Sequence, residues 1–90
     1  MKTKKGFSLR EICGEYVLVA EGKENIDFSN IISMNETGAF LWRKADVMDT
    51  FTEDDLVKAL TDEYEVDETT AANDVATNVK EWIRIGIAEE

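Results

Sequence analysis

The side chains best suited to chemistry in this 90-residue chain are its carboxylates, 20 Asp and Glu against 10 Lys and Arg. There is no His and a single Cys, Cys13. Without imidazole or a second thiol, histidine acid–base catalysis, Cys–His nucleophiles, internal disulfides and His/Cys zinc sites all fall away. Carboxylates alone do less. Two in a concave site with displaced pKa values can pass protons, and pairs such as Asp54-Asp55 and Asp62-Glu63 can chelate a hard cation. The sequence has no D-x-D-x-D-G calcium loop, the form that makes such a site specific. Residues 46–74 hold 11 acids and one base, Lys58, whereas 1–45 hold 6 acids and 7 bases and 75–90 hold 3 and 2. This acidic belt is a solubilising face or a docking surface for a basic partner, whose association it would speed. A net charge of −10 works against phosphate backbones and anionic lipid. The expectation is a binding module with no catalytic residue, metal or cofactor, and with neither nucleic acid nor membrane as partner.

The elements that carry these residues follow from periodicity. A hydrophobic content of 43% supports one core, hence a single domain over 1–90 with residues 1–6 flexible. Phe7–Cys13 alternates loosely, Gly14-Glu15 suits a two-residue hairpin turn, and Tyr16–Ala20 is a β-rich run. Glu21–Asn25 is a polar loop, and the short apolar segment Ile31–Met34 completes a three-stranded antiparallel meander. Helical spacing takes over afterwards. Asn35 caps a first helix with Leu41, Trp42, Ala45 and Met48 on one face. Thr52–Asp55 forms a capping box ahead of Leu56, Val57, Leu60 and Tyr64. Asp67 caps a third helix with Ala72, Val75, Ala76, Val79, Trp82, Ile83 and Gly86 on one side. The fold class is α+β, a winged-helix-like domain of three strands followed by three helices. Trp42 and Trp82 read as core anchors and Cys13 as a small filler.

Met34-Asn35-Glu36-Thr37-Gly38-Ala39-Phe40-Leu41-Trp42 resembles the "LNETAxxIW" segment of the PqqD family. Val66-Asp67, Asp74-Val75 and Ile85-Gly86-Ile87 are similar to that family's "VD…DV…xGLI" ending. The resemblance runs from about Leu9 to Ala88. It implies a non-catalytic peptide chaperone that holds the leader of a ribosomally made precursor and presents it to a radical S-adenosylmethionine enzyme, as in pyrroloquinoline quinone biosynthesis or a related peptide pathway. It also implies that the leader adds as a strand beside the third strand and packs against the third helix.

The residues support the same site independently. An open sheet has two edges. The first strand is guarded by Lys5, Arg10 and Glu11, whereas Ile31-Ile32-Ser33-Met34 has neither charge nor Pro. A handful of backbone hydrogen bonds at ~0.5–1.5 kcal/mol each gives roughly 2–6 kcal/mol, short of the ~8 kcal/mol of a micromolar complex. A side-chain groove must supply the rest. On a wheel of about 100° per residue, Asn73, Thr77, Lys80 and Arg84 form a polar stripe, with Ala76 and Ile83 at its apolar border. The expected peptide-binding set is therefore Asn30, Ile31, Ile32, Ser33 and Met34 on the strand with Asn73, Ala76, Thr77, Lys80, Ile83 and Arg84 on the helix. The two cations would meet acidic leader residues. They equally suit a solvated helix face beside Glu81, and the open strand can equally pair with a second copy of the chain.

Two other functions are weighed. A winged-helix transcriptional regulator needs a basic recognition helix, and the second helix is acidic apart from Lys58. A protein–protein adaptor without a peptide substrate fits the same composition. No apolar run approaches the ~20 residues of a membrane span, and Met1–Gly6 has no apolar stretch behind it, so the expected location is cytoplasmic.

Overall fold

Alternation and helical spacing both appear in the backbone. The computed structural model describes residues 1–20 and 32–90; the loop expected over 21–30 and the expected roles of Asn30 and Ile31 lie outside the described residues. In chain order the elements are β1 (Lys2–Thr3), β2 (Phe7–Ile12), β3 (Glu15–Ala20), β4 (Ile32–Met34), α1 (Glu36–Asp46), α2 (Glu53–Glu63), α3 (Glu68–Ile85) and β5 (Ala88–Glu89). β2, β3 and β4 form the expected antiparallel sheet in that order. Leu9 stands opposite Leu18, and Leu18 opposite Ile32. Because side chains alternate between faces, Phe7, Leu9, Leu18, Ile32 and Met34 share the face that packs on the helices.

The hairpin turn lies one residue earlier than expected. Ile12 pairs with Glu15, so Cys13-Gly14 makes the turn, with φ of 53° and 79°. Positive φ at both central positions is the primed turn that matches strand twist. Cys13 is consequently exposed at the tip, not a filler. A second departure concerns the chain ends. Of residues 1–6, expected to be flexible, the first four have partners in the fold: β1 pairs antiparallel with β5, and Lys4 N–H donates to Ile87 O at 2.9 Å. Phe51 N–H donates to Met1 O at 2.7 Å.

The helix starts match the sequence. Asn35, Thr52 and Asp67 are the three N-caps, and Thr52 with Asp55 closes the capping box. At the far end of α3, Gly86 adopts a φ of 86°. Its N–H donates to Ile83 O at 3.2 Å while Ile87 N–H donates to Trp82 O at 2.9 Å. This pair of bonds is the Schellman stop, and it drops Ile87 into the core at 1% exposure. The core itself is an aromatic chain. Trp42 of α1 meets Trp82 of α3 edge-on at 5.3 Å, with Phe7 on Trp42 at 6.5 Å and Phe51 on Trp82 at 6.3 Å. Edge-to-face pairs of this kind add about 0.5–1.5 kcal/mol each beyond their buried area. Sheet, α1 and α3 are thereby tied through two buried indoles.

α3 buries Ala71, Val75, Val79 and Trp82. Ala72 and Ala76, expected inside, are exposed. The buried arc thus sits about 45° from the expected one. Alanine is small enough to suit either side, and the larger Val75, Val79 and Trp82 decide the rotation.

Gly86→Ala should lower the unfolding free energy in urea by about 1–2 kcal/mol, the cost of a Cβ in left-handed backbone. The amide of Thr70, donating to Asp67 at 2.6 Å, holds the Asp67 carboxyl below its ordinary range. A carboxyl depressed on folding contributes stability above its unfolded pKa and loses it as pH falls through the folded value. Asp67→Asn should therefore flatten the acid limb of the stability–pH curve, read from thermal midpoints between neutral and acid pH.

Candidate functional site

Backbone without partners is what β4 offers. Among the described residues it pairs with β3 alone, leaving its other side open. Alternate residues of such a strand turn their N–H and C=O outward. Ser33 is exposed, and Ile32 and Met34 are half-buried against the core. The opposite edge, β2, carries exposed Arg10 and Glu11, charges that discourage pairing. The contrast expected from sequence between a guarded and an unguarded edge is therefore present in three dimensions.

A close approach of α3 to the start of α1 lies at Gly38. This glycine is buried in the first turn of α1, and its N–H donates to the cap Asn35 at 2.7 Å. A Cβ placed on it would lie 3.1 Å from Asn35 Oδ1, 3.1 Å from Asn78 Oδ1 and 3.8 Å from Met34 Cβ. The absent methyl lets the start of α1, the end of β4 and the middle of α3 converge. Asn78 of α3 thus approaches Gly38 beside Met34, its Nδ2 donating to Asp74 O at 2.8 Å. Asp74, Glu81 and Ile85 lie within about 60° of Asn78 around the helix, and Ile85 is a large apolar side chain left 36% exposed.

The helix residues expected at the site lie on other faces of α3 than Asn78. Asn73, Ala76, Lys80 and Ile83 lie about 140–160° from Asn78, and Thr77 and Arg84 about 100–120°. Ala76, Lys80 and Ile83 line a separate hollow of about 520 Å³ with Met1, Val79, Glu53 and Glu90. The guanidinium of Arg84 is held by its own helix, Nε donating to Glu81 Oε2 at 2.8 Å and Nη2 to Oε1. That pair raises the Arg84 pKa and lowers that of Glu81. Gly38 therefore brings Met34 near Asn78, while Ala76, Lys80 and Ile83 line a different hollow. A glycine inside an otherwise good helix start was the available signal for the close approach at Gly38.

At the end of β4 a hollow of about 630 Å³ is lined by Gly14, Glu15, Tyr16, Ser33, Met34, Asn35 and Glu36. Arg43 stacks over the Tyr16 ring, 5.3 Å from its centroid. No group of three or more His, Cys, Asp or Glu is poised to hold a metal among the described residues. No described helix is long and apolar enough to cross a membrane. The assembly presents hydrogen-bonding backbone beside a helix flank, an arrangement for recognising extended chain.

Comparison with known proteins follows the same line. The profile of the family described as Coenzyme PQQ synthesis protein D (PqqD) matches residues 15–87. A search of curated protein sequences finds no match. Among solved structures, "TbiB1 in Complex with the TbiA(beta) Leader Peptide" superposes with a TM-score of 0.73 at 19% identity, over 99% of this chain and 95% of that one. At that identity the likeness is one of fold.

Gly38→Val should destabilise the protein by about 1–3 kcal/mol, the range for overfilling a packed contact, measured by urea denaturation. In the double variant with Asn78→Ala part of the loss should return, since one of the two close neighbours is then removed.

Proposed function

The chain belongs to the PqqD family, and from that premise we propose that it is a non-catalytic peptide chaperone for a ribosomally made precursor. The precursor's leader pairs with β4 as an added strand, and its side chains rest on the Asn78–Ile85 flank of α3. The carrying observation is the edge of β4 that has no strand partner among the described residues, uncharged and free of proline, with an exposed isoleucine, Ile85, on the Asn78 flank of α3. Strand addition draws affinity from backbone bonds and specificity from alternate side chains. The neighbour of like fold is a complex with a leader peptide, which supports the same use of this fold. The bound leader is presented to a radical S-adenosylmethionine enzyme, in pyrroloquinoline quinone biosynthesis or a related peptide pathway, in the reducing cytoplasm. A second copy of the chain competes for the same edge.

A DNA-binding role is not favoured. α2 carries Glu53, Asp54, Asp55, Asp62 and Glu63 against Lys58, a surface that repels phosphate.

Proline scanning tests the docking. Neighbouring β4 residues turn their N–H groups to opposite sides, so one of Ile32→Pro and Ser33→Pro removes an edge donor and the other a ladder donor. In calorimetric titration with the leader of the precursor encoded beside this gene, the edge variant should lose binding while keeping its thermal midpoint. Two proline variants that both bind like the unchanged chain would overturn the proposal.

A further inference from the structure

The charged residues that line the hollow at the end of the open edge are acidic, whereas the cationic stripe led the sequence to suggest basic ones. The hollow at the end of β4 shares Ser33 and Met34 with the edge strand, and its charged lining residues are Glu15 and Glu36. β3 overhangs β4 here: Tyr16 is the last residue paired, opposite Met34, because Asn35 turns the chain into α1. Glu15 is the next residue along β3, and Glu36 opens α1. Both side chains are exposed, and neither takes part in the ion pairs found among the described residues. Arg43, the cation on this wall, is stacked on Tyr16. Lys80 and Arg84 sit on the far side of α3 or are held by Glu81. A guest strand beside Ser33 and Met34 therefore meets two unpaired carboxylates and no free cation among the described residues that line its path.

Resting on the strand-addition reading above, we infer that the leader recognised by this protein carries a Lys or Arg beside Ser33–Met34, received by Glu15 and Glu36. A long basic side chain reaches an exposed carboxylate while keeping its stem along the strand. An acidic residue at that place would add like charge to a chain of net −10. Charge of this kind selects partners and speeds encounter more than it adds affinity.

The test is selection of a displayed library of random extended peptides against the full-length chain. Peptides whose binding shifts the amide resonances of Ile32–Met34 are then sequenced. The enriched set should share a Lys or Arg at one fixed position of the pairing segment. Affinity for such a peptide should fall about three- to tenfold in Glu15→Gln with Glu36→Gln, and fall further with added salt in the unchanged chain only. These isosteric amides leave the Asn35 cap in place, and thermal midpoints verify the fold. Enriched peptides that pair with β4 yet carry no cation there, or an affinity indifferent to the double substitution, overturn the inference and leave strand addition standing. A library that yields no peptide shifting Ile32–Met34 overturns both.

Discussion

A sheet of three strands leaves two rows of backbone donors and acceptors without partners, and the disposition of those rows governs everything this protein is built to do. On β2 the row is guarded by Arg10 and Glu11. On β4 it is short and uncharged. A short edge is a weak template for aggregation, and in the proposed docking it aligns a leader whose side chains supply the remaining affinity. The remaining structure holds that edge open.

The means are the core and one missing methyl. Trp42 and Trp82, in edge-on contact, set the position of α3 over the sheet. Gly38 sets how near α3 comes to the end of β4. Asn35 does two things at once: it caps α1 and ends the strand, so the chain turns away where a longer strand would have closed the hollow behind Met34. The Schellman stop at Gly86 then returns the chain to pair with β1. Five acids crowd α2 and two more line the hollow, whereas Lys80 lines a different hollow and Arg84 is paired with Glu81.

Much of this was legible because it is local. The caps at Asn35, Thr52 and Asp67 are chemistry within three residues, and the indoles announced themselves by size and spacing. The family segment from Met34 to Trp42 pointed to the same region. What was not legible depends on contacts between elements. Alanines at 71, 72 and 76 fit either side of a helix, so the rotation of α3 was set by packing and not by pattern. Which flank of α3 meets the start of α1 is likewise a matter of tertiary placement, and there Asn78 faces Gly38 while Ala76, Lys80 and Ile83 line a different hollow. The turn at Cys13-Gly14 requires a non-glycine residue in left-handed backbone, which residue preferences rank low. β1 and β5 are two residues each, too short to leave a period, and arise only because the chain ends meet.

The central claim is that the outward amides of β4 are free in the isolated protein and taken up by a guest chain. Hydrogen–deuterium exchange resolved to single amides measures this directly. The account predicts fast exchange at the edge-facing amide within Ile32–Met34 in the free protein, and strong protection on adding the leader peptide, with Leu18 and Val75 slow in both states. An edge amide already protected in the monomer, or one left unprotected by a bound peptide, would contradict it.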